Sequence, residues 1–338
     1  MLDARSAAAR TCGAERASCP NLILGIIEGY TFYEISPFLR SLRSSSFEGH
    51  LCLYAGPNMA DSTVAAVERL GAEVIRYRDA FPFVADPHSA NVHWLPSPIH
   101  IYNYRHFLYL DYLLKHGSRF RSVLITDVRD VIFQADPFHF EVEDCICVAM
   151  ENFRLPIGSC KWTKGWLLAG FGAEALDRVR DAEMSCAGTT LAPVVEMQRY
   201  LRTLLGMIQR MEDASACADQ AAHNLLLHGG RLAPVKRLYN FYGPILTAGT
   251  EPEHWFNDRG ELINLDGSVI NIVHQYDRHP RLLRHFRRKI WPSRWQRFAA
   301  RVGHRFQRCL ARLSETPPSR VSRSNDSNHR SAVTRTLS

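Results

Sequence analysis

Residues 123–133 read VLITDVRDVIF, an apolar run that leads directly into two carboxylates, Asp127 and Asp130. A run of this kind is typical of a buried parallel strand. Ligand sites in open α/β sheets lie at the carboxyl ends of such strands. An ionised carboxylate in that position is costly unless it pairs with a cation or binds a metal. The stretch therefore predicts either a divalent-cation site or an ion pair of Arg129 with one of the two aspartates.

The sequence around this stretch alternates between strand-like and helix-like segments. Apolar runs that predict strands lie at 22–27, 50–54, 72–76, 145–150 and 268–273. Segments with helical periodicity lie at 32–42, 61–70, 102–115, 192–210 and 219–227. Strands and helices that alternate at this pitch favour a parallel sheet with right-handed crossovers. We therefore predict an α/β fold with a mixed, mainly parallel sheet flanked by helices.

Composition limits the class of protein. The chain has 338 residues and 46% apolar content, which suffices for a full core. No run approaches the ~18 apolar residues that span a bilayer, and residues 1–20 lack the apolar region of a signal peptide. Nine cysteines without a framework spacing favour free thiols in a reducing compartment. We therefore expect a cytoplasmic location, with the inner face of the membrane as an alternative for a peripheral protein.

Positive charge is concentrated near the C-terminus. The net charge is +7, yet residues 281–312 alone contain eleven Lys or Arg and no Asp or Glu, so the rest of the chain is slightly acidic. From Trp291 to Leu313, apolar residues and arginines each recur every three or four residues, which predicts two stripes on one helix. Trp and Phe beside Arg are typical of a helix lying in an anionic membrane surface. The alternatives are a helix packed on the body and a nucleic-acid-binding segment, although no recognised nucleic-acid fold accompanies it.

Five features follow one another in the order found in a known enzyme family. They are Tyr104-Arg105 opening a helix, the Asp127/Asp130 strand end with Asp136-Pro137-Phe138 after it, a predicted small-residue turn at 185–189, Asp219-Gln220 starting a helix, and His274 ending a late strand. In this order the sequence resembles the GT-A glycosyltransferases, nucleotide-sugar enzymes with a DxD motif. The resemblance is nearest to family 8 type enzymes and covers residues 21–279.

The resemblance implies a metal site. Asp127 and Asp130 would hold Mn²⁺ or Mg²⁺ on the donor diphosphate, and His274 would complete the metal shell. Hard cations of this kind favour oxygen ligands. The spacing here is DxxD rather than DxD. When residues 127–136 are aligned with the family motif without gaps, Asp130 matches the second Asp of DxD and Asp127 falls one position early. The resemblance still implies that Asp127 contacts the donor.

The resemblance also implies contacts to the donor and the reacting sugar. Arg105 matches the arginine that reaches the donor. Cys186 and Gly188 lie in a Cys-Ala-Gly segment where the family usually has Asn-Ser-Gly, so a cysteine replaces the usual asparagine. Asp219 and Gln220 match the Asp-Gln pair beneath the reacting sugar and are the implied catalytic residues. The alternative for Asp219 is a helix N-cap.

The function implied by the resemblance is that of a hexosyltransferase. It would move a sugar from a nucleotide-diphosphate sugar, with a UDP-sugar favoured, to a hydroxyl of a glycan or glycolipid, with retention of configuration. A membrane glycolipid acceptor would explain the basic helix. Trp94 and Trp162, in Pro- or Gly-rich segments, are the tryptophans best suited to stack on a sugar.

Two other functions remain open. A metal-dependent phosphatase of the haloacid dehalogenase type also ends a strand on aspartates, but it needs Asp-x-Asp, which the Asp127–Asp130 spacing breaks. A non-catalytic membrane- or RNA-associated binding protein is supported only by residues 281–312. On the glycosyltransferase interpretation, the chain comprises a disordered segment 1–20, a GT-A domain 21–280, a basic amphipathic helix 281–313, expected to be separable from the body, and a disordered tail 314–338.

Overall fold

The computed structural model describes residues 19–77, 84–85, 92–93, 99–140, 142, 144–211, 217–232, 234–291 and 293–314. The segments predicted to be disordered, 1–20 and 314–338, lie almost entirely outside these ranges, and so does Trp94. Disorder in those segments therefore stays a prediction.

A seven-stranded sheet forms the centre of the fold, and a three-stranded sheet lies beside it. In chain order, the strands of the described residues are β1 (Leu22–Ile27), β2 (His50–Ala55), β3 (Glu73–Arg76), β4 (Val84–Ala85), β5 (Val92–His93), β6 (Ser122–Thr126), β7 (Val131–Phe133), β8 (Ile146–Met150), β9 (Ser185–Pro193), β10 (Val235–Leu238), β11 (Ile245–Thr247) and β12 (Ile272–His274). The spatial order of the large sheet is β3-β2-β1-β6-β9-β8-β10. Its neighbours are parallel except for the two pairs that include β9, which runs antiparallel to β6 and β8.

Helices flank the large sheet. Within the described part of the chain the α-helices are α1 (Phe32–Ser44), α2 (Asp61–Glu68), α3 (Ile101–His116), α4 (Lys161–Val179), α5 (Val194–Ile208), α6 (Asp219–His228), α7 (Pro280–Ile290) and α8 (Arg294–Ser314). Of these, α7 packs against the three-stranded sheet and α8 against α1. Alternate side chains of a strand point to opposite faces. Leu22 and Leu24 of β1 join a core with α3, α5 and α6, whereas Ile23 and Ile27 join a second core with α1 and α2. The predicted α/β fold, with a mixed, mainly parallel sheet flanked by helices, is confirmed.

The three-stranded sheet places the late histidine beside the two aspartates. Its order is β11-β12-β7, and β12 runs antiparallel to β7 with His274 opposite Val131. Val131 directly follows Asp130, and the backbone N–H of Gln275 donates to the carbonyl of Asp130 at 2.8 Å. Strand register therefore brings His274, which is remote in sequence, to the end of β6.

The predicted turn at 185–189 is wrong, because these residues begin the nine-residue strand β9. β9 lies between β6 and β8 and is buried along almost its whole length. Small residues such as Ala187 and Gly188 let neighbouring side chains approach the backbone closely. Because these residues are small and only weakly apolar, the segment lacks the alternation of apolar and polar residues by which a strand is recognised in a sequence.

The single basic helix predicted at 281–313 is two helices. α7 ends at Ile290, and Trp291 has φ −123° and ψ 80°, outside the helical region. Pro292 follows Trp291 in the sequence, and the residue before a proline is disfavoured in the α conformation. The four-residue step from Trp291 to Trp295 spans this proline, which is why periodicity alone did not predict the break.

The first of the two helices packs on the body. Leu282 and Phe286 of α7 are buried in a core that includes Ile132 of β7, and Trp291 stacks on Tyr33 with ring centroids 5.0 Å apart. The expectation that the segment from 281 onward is separable from the body is therefore wrong for α7. No helix in the described ranges is long and apolar enough to cross a membrane.

Candidate metal centre

The three predicted metal ligands come together at the carboxyl end of β6. The backbone N–H of Asp127 donates to the carbonyl of Gly188 at 2.8 Å, which extends the pairing of β6 with β9 by one residue. The chain then turns through residues 128–130 into β7. One ligand atom each from Asp127, Asp130 and His274 lies within 4.8 Å of the other two. The two-residue gap in the DxxD sequence therefore places both carboxylates on the side of His274.

The imidazole of His274 has the geometry of a ligand. His274 is 1% exposed, and its Nε2 lies 3.3 Å from Asp127 Oδ2 and 3.7 Å from Asp130 Oδ1. Among the described residues, this buried nitrogen has no hydrogen-bond partner. The other ring nitrogen, Nδ1, lies 3.5 Å from Cys186 Sγ. Two carboxylates and one imidazole nitrogen are a common donor set for divalent cations, so this group can hold a metal ion.

The ion pair of Arg129 that the sequence offered as the alternative is also found, next to the Asp127–Asp130–His274 group. The two arrangements coexist. Arg129 Nη1 lies 3.2 Å from Asp277 Oδ2, and Nη2 lies 4.0 Å from Asp130 Oδ2. The other carboxylate oxygen of Asp130 faces His274. Burial, together with the nearby carboxylates of Asp127 and Asp277, raises the pKa of Asp130 above its usual value although His274 and Arg129 lower it.

Arg105 lies between the half-buried carboxylate of Asp127 and the buried carboxylate of Asp219. Its Nη1 donates to Asp127 Oδ1, and its Nη2 donates to Asp219 Oδ2 at 2.7 Å. His106 Nε2 lies 3.3 Å from the same Asp219 oxygen. Burial would raise the pKa of both carboxyls. Arg105, together with His106 at Asp219 and with His274 at Asp127, outweighs burial and holds the pKa of Asp219 at about 2 and that of Asp127 well below its usual range. Both aspartates are therefore ionised at neutral pH.

The Asp219-Gln220 pair has a structural setting that its position in the sequence did not predict. The N-cap of α6 is Ala218, so the N-cap alternative for Asp219 is wrong. Gln220 Oε1 accepts from the backbone N–H of Ala187 at 2.7 Å, and its Nε2 donates to the carbonyl of Ser185 at 2.7 Å. Gln220 therefore fixes the start of β9 beside the metal centre, and its side chain also borders the cleft described below.

Gly188 sits where no larger residue fits. A Cβ at this position would lie 2.5 Å from His274 Cε1 and 2.6 Å from Asp127 Oδ2. Real Cβ atoms do not approach neighbours so closely in packed interiors. Cys186, two residues earlier on β9, is buried with its Sγ against His274, so this cysteine supports a candidate ligand.

Replacing Gly188 with Ala should displace His274 or Asp127 and thereby weaken metal binding. We expect a loss of stability of about 1–3 kcal/mol from overpacking, together with loss of the rise in Tm that Mn²⁺ produces in the wild type. Thermal unfolding with and without Mn²⁺ measures both. Gly206→Ala on α5 is the matched control, because a Cβ there meets no atom within 4 Å. An undiminished Mn²⁺ effect in Gly188→Ala would contradict the site.

The metal centre borders a cleft of about 510 Å³. The predicted site residues that line it are Arg105, Asp127, Asp130, Cys186, Gly188, Asp219 and Gln220. His274 lies behind this lining, next to the lining residue Gln275. Trp162, in the first turn of α4, lines the cleft and exposes 65% of its surface.

Several cleft residues were missed from the sequence. They include Tyr30, Tyr102, Glu151, Trp166 and Arg278. A signal existed for Glu151, since it directly follows the strand predicted at 145–150, just as Asp127 directly follows β6. Glu151 is 7% exposed, and burial raises its pKa to about 7. Its Oε1 lies 3.5 Å from Gln220 Nε2.

The fold and the site together define an α/β protein with a buried Asp-Asp-His group at the carboxyl edge of its sheet. In comparisons with known proteins, no protein-family model matches the chain and no curated protein matches it. The function must therefore be inferred from the chemistry of the site.

Proposed function

We propose that the protein is a metal-dependent glycosyltransferase of the GT-A type, nearest to family 8 enzymes. It moves a hexose from a nucleotide-diphosphate sugar, with a UDP-sugar favoured, to a hydroxyl of a glycan or glycolipid, with retention of configuration. The observation that carries this proposal is the Asp127–Asp130–His274 group, which borders a cleft at the carboxyl edge of the sheet. Ligands of open α/β sheets bind at this edge.

The Asp127–Asp130–His274 group suits Mn²⁺ or Mg²⁺ on a diphosphate. Its donors are mainly carboxylate oxygens, and the buried Nε2 of His274 has no other partner in the described parts of the chain. When bound, such an ion neutralises the negative charge that develops on a diphosphate leaving group. Arg105 keeps Asp127 ionised and fixed in position.

Other cleft side chains suit the rest of a nucleotide-sugar. Tyr30 lies just after β1 and Tyr102 lies in the first turn of α3, and their rings can pack against a base or ribose. Arg129 and Arg278 also line the cleft and add positive charge for a diphosphate. Trp162 offers an exposed ring face for a sugar.

Glu151 is the buried cleft carboxyl best suited to exchange a proton near neutral pH. Asp219, with a pKa of about 2, stays ionised against Arg105, whereas Glu151 has a pKa of about 7. Two carboxyls whose environments separate their pKa values in this way commonly take different roles. We assign Glu151 to a hydrogen bond with a hydroxyl of the acceptor or of the transferred sugar.

The phosphatase alternative fits this arrangement less well. Its nucleophile would be Asp127, the first aspartate after the strand. Both oxygens of that carboxylate already face other groups, Oδ1 the guanidinium of Arg105 and Oδ2 the imidazole of His274. This arrangement supports Asp127 as a ligand rather than as an attacking group.

A screen of nucleotide-diphosphate sugars with Mn²⁺ tests the proposed function. We expect release of nucleoside diphosphate from one donor, no release after EDTA treatment, and calorimetric binding of UDP only in the presence of the metal. NMR of the product would show whether configuration is retained. Hydrolysis of p-nitrophenyl phosphate without turnover of any sugar nucleotide would replace the proposal with the phosphatase alternative.

Glu151→Gln should change how stability depends on pH. Because the folded-state pKa of Glu151 is about 7 against an ordinary 4.5, the folded protein holds a proton that the unfolded chain releases between these values. The stability from this proton is complete below about pH 4.5 and is lost as the pH rises through about 7. Relative to Glu151→Gln, the wild type should therefore lose about 3 kcal/mol across this range.

Urea unfolding of both proteins in EDTA, at several pH values from 4.5 to 8, measures this difference. Glu174→Gln, at an exposed position of α4, is the control and should leave the wild-type profile unchanged. Parallel profiles for wild type and Glu151→Gln would show that Glu151 ionises normally and would remove its proposed role.

A further inference from the structure

α8 carries an apolar patch that faces solvent. Trp295, Phe298 and Val302 expose 78%, 60% and 48% of their surfaces. At ~100° per residue they lie within roughly 60° of one another around the helix. The rings of Trp295 and Phe298 are also in edge-to-face contact, with centroids 6.2 Å apart. These three residues, named here the outer stripe, form one continuous surface.

The opposite side of α8 attaches the helix to the body through polar groups. His304 Nδ1 lies 2.9 Å from Thr31 Oγ1, and the His304 ring packs on Tyr33 with centroids 5.0 Å apart. Arg308 Nη2 donates to Glu34 Oε1 at 2.6 Å. His304 lies roughly 150° around the helix from the centre of the outer stripe. Contacts with the start of α1 therefore hold the outer stripe away from the protein.

This orientation is the reverse of that of a core helix. An amphipathic helix on a globular protein normally buries its apolar stripe and exposes its charged side. On α8, Trp295, Phe298 and Val302 are exposed, although the helix makes specific contacts with α1. Contiguous exposed aromatic surface of this kind marks an interaction site.

The positive charge beside the outer stripe indicates which kind of partner it binds. Arg294, Arg301 and Arg305 are exposed and lie roughly 70° around the helix from the stripe centre. Residues 281–312 contain no Asp or Glu. A second copy of the chain would bring these arginines against each other, whereas an anionic surface would pair with them.

We propose that α8 docks on an anionic lipid surface. Trp295, Phe298 and Val302 insert at the boundary between headgroups and acyl chains, and the flanking arginines contact lipid phosphates. Helices with an apolar face and a cationic face bind membranes in this way, lying in the plane of the interface. This docking is centred on the outer stripe of α8 and does not depend on the proposed enzymatic function.

A second basic group adds to the attraction. Arg281, Arg284, Arg288 and Lys289 of α7, together with Arg259 and His285, line a surface cavity of about 440 Å³. Arg259 also pairs with Glu261 at 3.1 Å. Each further cation near an anionic surface strengthens binding in a salt-dependent manner.

Co-sedimentation of the full chain with vesicles tests the docking. We expect binding to equimolar phosphatidylcholine and phosphatidylglycerol vesicles at low salt, and at least about 10-fold weaker partitioning at high salt or with phosphatidylcholine alone. Arg294→Gln/Arg301→Gln/Arg305→Gln should lower partitioning into the anionic vesicles on the order of 100-fold. Trp295→Ser/Phe298→Ser/Val302→Ser should lower it at least about 10-fold and abolish residual binding to neutral vesicles.

Matched variants on other exposed positions should bind as the wild type does. Arg40→Gln/Arg178→Gln/Arg231→Gln is the control for charge, and Val195→Ser/Leu265→Ser is the control for exposed apolar residues. Circular dichroism checks that every variant is folded. Wild-type vesicle binding by the outer-stripe variant would overturn the proposal. The proposal would also be overturned if the wild type does not bind anionic vesicles but dimerises through the outer stripe, or if it binds only RNA.

Discussion

Replacement of Asp130 by Asn is expected to lower metal-dependent turnover on the order of 10²-fold or more. Asn preserves the size of the side chain but removes an anionic donor that faces His274 Nε2 from 3.7 Å. A catalytic ion supplies several kcal/mol of charge stabilisation, and each step of about 1.4 kcal/mol is tenfold in rate. The measurements are kcat on the donor found by the screen, which should fall by that factor, and the rise in Tm produced by Mn²⁺, which should be lost.

Two further variants make this result specific. Asp127→Asn should behave like Asp130→Asn, since Asp127 Oδ2 lies 3.3 Å from the same His274 nitrogen. Asp111→Asn is the control, because Asp111 pairs with Lys115 on the outer face of α3 and lies away from the cleft. If Asp130→Asn keeps full activity and the full Mn²⁺ effect, the three residues are not a metal site.

Most of the Asp127–Asp130–His274 group could be predicted because two of its residues are adjacent to one strand in the sequence. An apolar strand that ends in carboxylates places them at the carboxyl edge of a sheet, and Asp127 and Asp130 are adjacent to that strand in sequence. His274 was harder, because only the antiparallel register of β12 with β7 brings it there. The order of motifs along the chain supplied that link. Although Asp127 lies one position early relative to a DxD spacing, the turn before β7 brings both carboxylates to one side.

Features that depend on tertiary packing were not predictable. The sequence predicts a turn rather than a strand at residues 185–189, because the small residues there serve the close approach of His274 and Asp127 to Gly188 rather than a regular apolar face. Periodicity showed that α8 is amphipathic but could not show which side faces the body. That outcome is set by single polar contacts, such as His304 with Thr31, between residues far apart in sequence.

Arg105 is a buried cation whose charge is balanced from two sides. It is 5% exposed, and it contacts Asp127 through one terminal nitrogen and Asp219 through the other. Its Nε has no hydrogen-bond partner within the described ranges, so these carboxylates carry its electrostatic compensation. Removal of one partner from a buried ion pair typically costs 3–5 kcal/mol, because a buried charge is left uncompensated.

Asp219→Ala is therefore expected to lower the free energy of unfolding by about 3 kcal/mol, toward the lower end because Asp127 remains. An N-cap would account for only about 1 kcal/mol. The substitution should also lower the reaction rate, since Arg105 positions Asp127 beside the metal centre. We expect kcat to fall more than UDP affinity, as for an interaction that matters mainly in the transition state. Urea unfolding and calorimetry measure the two effects.

A double-mutant cycle and a pH series separate the Arg105–Asp219 interaction from a general packing defect. Arg105→Ala/Asp219→Ala should be more stable than the sum of the single losses predicts, because neither charge is then left alone. Since Arg105 and His106 lower the pKa of Asp219 from 3.8 to about 2 against the effect of burial, the stability from these contacts is complete above about pH 4 and is lost as the pH falls toward 2. The difference between wild type and Asp219→Ala should shrink over that range. Additive losses, or a difference that does not change with pH, would show that Asp219 contributes packing alone.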